Sequence, residues 1–99
     1  MENKTNAMTQ EREAAILEGA ISHFGIDPQI VKAIEELGEL TVELARHRNG
    51  EANVDAVREE LADAFVMLNQ MELIFGDVTE IEIAKLERLE RMITGDVSV

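Results

Sequence analysis

Ninety-nine residues carry 21 acidic and 9 basic side chains, for a net charge of -12, and no cysteine. That length is one domain with room for a single small core, which association between copies would help to stabilise. The charge repels phosphate backbones, which argues against nucleic-acid binding and suits a protein that collects cations; the lack of cysteine removes disulfides, thiolate metal sites and thiol catalysis.

The first residues, "MENKTNAM", are polar and lack the apolar core of a signal peptide. No run of about 18 apolar residues is available to span a bilayer. The expectation is a soluble, cytoplasmic protein. Apolar positions recur at helical spacing with no sustained strand alternation, so the class is all-α: a chain of four helices joined by short links. Residues 1–8 read as a flexible lead-in, 9–95 as one domain and 96–99 as a tail. Thr9 is placed to cap a first helix that stops at Phe24–Gly25. Asp27 and Pro28 suit the N-cap and first position of a second helix running to about Arg48. A third helix starts near Asn53 or Asp55 and ends at Phe75–Gly76. Thr79 with Glu82 reads as a capping box for a fourth, 80–93, stopped by Gly95. Gly19 and Gly38 fall inside helices, where they suit close helix contact.

On the second helix, Ile30, Ile34, Leu37, Thr41, Leu44 and Ala45 share one stripe. The opposite arc holds Lys32, Glu35, Glu36, Glu39, Glu43, Arg46 and His47. On the third helix Val57, Leu61, Ala64, Phe65, Leu68 and Phe75 form a core stripe. The other side, Ala56, Glu60, Asp63, Met67, Gln70 and Ile74, is also largely apolar. A helix apolar on both sides is buried on both sides, so Glu60 and Asp63 are expected in an interface or pocket. Desolvated carboxylates need a positive partner, and the basic residues are too few and scattered to serve Glu35, Glu36, Glu39, Glu60 and Asp63 together. A hard divalent cation such as Mg²⁺ fits, because it takes oxygen ligands and keeps waters. Glu36 and Glu39 are three residues apart, as are Glu60 and Asp63, so each pair shares a helix face. Two antiparallel helices would join the pairs into a four-carboxylate cage.

"EELGE" (Glu35, Glu36, Glu39), followed after residues 40–59 by "ELAD" (Glu60, Asp63), resembles the EExxE…ExxD signature of the MazG-like all-α nucleoside triphosphate pyrophosphohydrolases. The frames "IVKAIEELGELTVELA" and "VREELADAFVMLNQM" are similar to that family too, over about residues 28–75. The resemblance implies hydrolysis of (deoxy)nucleoside triphosphates to monophosphate and pyrophosphate, a nucleotide-pool house-cleaning reaction. It implies Mg²⁺, with Mn²⁺ as a substitute, on Glu36, Glu39, Glu60 and Asp63, with Glu35 orienting or deprotonating the attacking water. It also implies a homodimer or homotetramer, in agreement with the two-sided apolarity.

Candidates for holding the far phosphates are Lys32, Lys85, Arg88 and Arg91, against the plainer reading of ordinary i,i+4 ion pairs. Asn69 and Gln70 are candidates for a base edge or ribose. His23 and His47 sit at helix C-termini, where the dipole accounts for them, and neither stands in a Glu-x-x-His arrangement that a di-iron bundle would need. Two other functions stay open: a non-enzymatic helical oligomer acting as adaptor or regulator, and a phosphoribosyl-ATP pyrophosphohydrolase.

Overall fold

The caps and links written into the chain settle where its helices begin and end. In a computed structural model, which describes residues 8–95, α1 spans Gln10–Phe24, α2 Ile26–Arg48, α3 Val54–Phe75 and α4 Thr79–Thr94. The described residues are all helix and link, with no strand. Of the expected lead-in only Met8 is among them, and the tail 96–99 lies outside them. No described helix is long and apolar enough to cross a membrane.

The cap expected at Thr9 forms, and Asn53, one of the two expected starts of the third helix, caps α3. Thr9 Oγ1 accepts from the Arg12 amide at 3.0 Å, and Asn53 Oδ1 accepts from the Ala56 amide at 3.0 Å. Each satisfies a first-turn N–H that the helix itself leaves unpaired. The other two expected caps, Asp27 and Thr79, do not form. Asp27 lies inside the first turn of α2, whose N-cap is Gly25, because Gln29 N already donates to Gly25 O at 3.2 Å. Gly25 thus ends one helix and starts the next at φ +100°, where an added Cβ would come within 3.3 Å of the Pro28 ring; only glycine suits so abrupt a joint. The capping box at Thr79 is also absent. Thr79 begins α4 itself, and its hydroxyl donates to Asp77 Oδ1 at 2.8 Å while Val78 occupies the cap.

α2 and α3 make the main contact, α1 lies against both, and the backbone of α4 stands apart from all three, facing α3 only across a groove lined by Phe65, Leu68, Phe75, Ile81 and Lys85. The link 49–53 reverses the chain, with Asn49 N donating to Ala45 O and Glu51 N to Arg46 O, and Gly50 at φ +86°. Residues near the middle of α2 therefore meet residues near the middle of α3 in antiparallel sense. The buried apolar residues are Leu17, Ala33, Ala64 and Met67, and the buried polar ones are Gln29, Glu36 and Gln70. Small side chains at Ala33 and Ala64 let the two helices approach. Gly19 and Gly38 have no such role within the chain, since a methyl on either would meet nothing within 4 Å.

The seam between α2 and α3 is thus the acidic side of both helices. The stripes expected to form the core face outward instead: Ile34 is 66 % exposed, Phe65 58 % and Phe75 72 %. Only Ala64 of the expected α3 stripe is buried. The radius of gyration, 16.6 Å, exceeds the roughly 13 Å of a compact chain of about 100 residues. One copy leaves its larger apolar side chains on the surface.

Candidate metal centre

Glu36 of α2 lies level with Glu60 and Asp63 of α3. Each offers one carboxylate oxygen, and the three oxygens lie within 4.8 Å of one another. The three differ in exposure: Glu36 is 8 % exposed, Glu60 half-buried and Asp63 open to solvent. The cluster therefore has a dry wall on α2 and an open rim at Asp63.

Its polar bookkeeping is incomplete. Glu36 Oε2 receives the Lys32 ammonium at 3.0 Å. Glu36 Oε1 and Glu60 Oε1 are buried and have no hydrogen-bond partner among the described residues. An unsatisfied buried acceptor costs about 1–3 kcal/mol, and more when charged. The strain shows in Glu60, whose carboxyl is pushed above its ordinary value of 4.5. Burial is the main cause, followed by the charge of Glu39 and a carboxyl–carboxyl hydrogen bond with it, then the charges of Asp63 and Glu36. Protonation is one remedy for such crowding and a bound cation is the other. The donors are all carboxylate oxygens with no sulfur or imidazole among them, the chemistry of a hard cation such as Mg²⁺ or Mn²⁺. The orphaned oxygens and the donor set fit such an ion.

The other sequence candidates fall in several places. Glu39, exposed, lies one turn beyond Glu36 and acts on Glu60 electrostatically, although its oxygens are not among the three clustered ones. Glu35 lies on the exposed shoulder of α2, about 100° round the helix from Glu36. Lys32 touches the cluster. Asn69 points the other way, nine residues and about half a turn of the wheel from Glu60, and its amide donates to Glu13 Oε2 on α1 at 3.5 Å. Lys85, Arg88 and Arg91 are exposed on α4, and nothing within one chain brings that helix to the carboxylates. Arg46 and Arg58 are engaged locally, with Glu43 at 3.1 Å and Asp55 at 3.9 Å. His23 stacks edge-on against Phe24 with ring centroids 4.6 Å apart, a packing contact.

Sequence reasoning passed over Gln29. It is buried in the seam, seven residues before Glu36 and so two turns along the same face. Gln70, 4 % exposed, lies seven residues after Asp63 on the facing helix, and its Oε1 is also unpartnered. The i±7 spacing from the acidic residues was the available signal. The seam therefore runs from carboxylates at one level to carboxamides about 10 Å further along. Compared with known proteins, the chain matches no family model, no curated protein and no solved structure.

Proposed function

We propose that the protein is a Mg²⁺-dependent nucleotide pyrophosphohydrolase of the MazG-like all-α kind, converting (deoxy)nucleoside triphosphates to monophosphate and pyrophosphate. The observation that carries this reading is the cluster of Glu36, Glu60 and Asp63 with two buried, unpartnered carboxylate oxygens. In the proposal these three hold the cation, and Glu39 flanks Glu60 as the fourth acid of the motif. A bound divalent cation supplies neutralisation of phosphate charge and a lowered pKa for water. Water adds to a phosphorus of the α–β anhydride, the bridging P–O bond breaks, and the released proton passes to a carboxylate. Glu35 is the residue that the resemblance assigns to that water, and its exposed place on α2 leaves it free to reach one at the open rim. Packed helices keep the carboxylates rigid.

The active species in this proposal is an oligomer. The large apolar side chains left exposed, from Leu61, Phe65 and Leu68 to Leu86 and Leu89 of α4, suit a homodimer or homotetramer.

Release of pyrophosphate from a panel of nucleoside triphosphates, with and without Mg²⁺, tests the reading. A folded, oligomeric protein that releases none from any of them defeats it. A second reading, a non-enzymatic helical adaptor, is favoured by α4, whose larger apolar side chains are exposed and whose backbone stands apart from the other described helices. The two part on heating: a cation held only by the native state raises the unfolding midpoint, whereas an adaptor without a cation site gives no shift.

A further inference from the structure

Lys32 sits where a cation is wanted. Its ammonium lies 3.0 Å from Glu36 Oε2, on the most buried of the three clustered carboxylates, while its own side chain is 52 % exposed. The hydrogen bond and charge of Glu36 hold the ammonium's proton above its ordinary range, with smaller contributions from Glu35 and Glu39. Lys32, Glu36, Glu39 and Glu43 lie within a narrow arc of α2, so the ammonium stands at the head of a row of acids. A lysine ammonium is a compact point charge on a flexible four-carbon stem, and it can leave one oxygen for another without moving the backbone.

We infer that Lys32 is an interim counter-ion: it neutralises Glu36 while no divalent cation is bound, and turns to a phosphate oxygen of the nucleotide once one is. This rests on the metal site proposed above. Two properties recommend it over an ordinary surface pair. The partner carboxylate is buried and its other oxygen has no partner among the described residues, so only the lysine half of the pair is solvated. A nearby positive charge also opposes a second one, so Lys32 has to weaken cation binding in the absence of substrate. It returns that cost when an anionic substrate gives the ammonium a new partner. Cation and nucleotide thereby bind with mutual support.

The test is Lys32→Met, which keeps the stem and removes the charge. Mn²⁺ is titrated into the protein without nucleotide, by calorimetry, alongside Arg48→Met. Arg48 lies at the far end of α2, about 18 Å from Glu36 along the helix, so it serves as a control for net charge. Lys32→Met is expected to bind Mn²⁺ three- to tenfold more tightly, with Arg48→Met within twofold of wild type. At saturating Mg²⁺ it is expected to raise KM for the nucleotide about tenfold, with kcat within threefold. Unchanged or weaker Mn²⁺ binding overturns the inference and leaves the metal site standing, as does tightening shared equally by Arg48→Met. Tighter Mn²⁺ with unchanged KM overturns the phosphate half. Wild-type protein that binds no Mn²⁺ overturns this inference and the proposed function together.

Discussion

α3 has two faces, and they reverse the usual arrangement of a small helical protein. The face turned to α2 carries Glu60, Ala64, Met67 and Gln70, narrow in places and rich in polar groups. The face turned away carries Leu61, Phe65 and Leu68, bulky and exposed. Within one chain the polar side is enclosed and the apolar side is not. The comparison teaches that enclosure here positions carboxylates, while the bulkier apolar side chains stand on the outer face. Burying a Phe or Leu contributes roughly 1.5–3 kcal/mol, which is more than the small seam residues Ala33 and Ala64 each supply.

The sharpest way to break that comparison is to alter the seam's chemistry without its shape. Asp63→Asn or Glu60→Gln is expected to lower kcat/KM for the best nucleotide by more than ~1,000-fold, about 4 kcal/mol of transition-state stabilisation. Circular dichroism should show the same helix content. Retained activity in both variants would remove the seam from the chemistry. Next in size is a packing pair on the same helix. Met67→Ala, in the seam, is expected to cost about 3 kcal/mol in denaturant unfolding. Phe65→Asp, on the outer face, is expected to dissociate the oligomer in light scattering; a monodisperse oligomer of wild-type mass would count against the assembly proposed here.

Saturating the site is a smaller perturbation. Mg²⁺ or Mn²⁺ at about 100 times its dissociation constant should add about 2.7 kcal/mol to unfolding, and Asp63→Asn should abolish the gain. Asn53→Ala, which strips the cap from α3, should cost about 1 kcal/mol and leave metal binding intact. The pH dependence is the subtlest. The Glu60 carboxyl holds its proton more tightly folded than unfolded, so its stabilising contribution is fully present below the unfolded value of 4.5 and is lost as pH rises through the higher folded one. Metal-free protein should therefore gain stability from this group as pH falls from neutrality toward 5. Thermal midpoints across that range, compared with Glu60→Gln, isolate it; identical pH slopes would mean that Glu60 is not strained.

Much of the local structure was legible in the residues. Thr9 and Asn53 cap as their side chains predict, and Gly25, Gly50, Gly76 and Gly95 stand at the helix ends with positive φ. Asp27 and Thr79 failed as caps because neighbouring backbone had already closed the turn, at Gly25 and Val78. The grouping of Glu36 with Glu60 and Asp63 was readable from their spacing on two helices joined by a short reversal. The detachment of Asn69 was not, since adjacent residues on a helix differ by about 100° and an amide one place from the seam belongs to α1's side.

By itself the sequence determined four helices, their ends, and which residues share a face, because capping and periodicity are local properties. Only the tertiary structure decided which face each helix turns to its neighbour. That choice depends on competition among all the faces at once, and small residues at Ala33 and Ala64 let α2 and α3 meet along the acidic side. It left Phe65, Leu68 and the whole of α4 outside, where no helical wheel could have placed them.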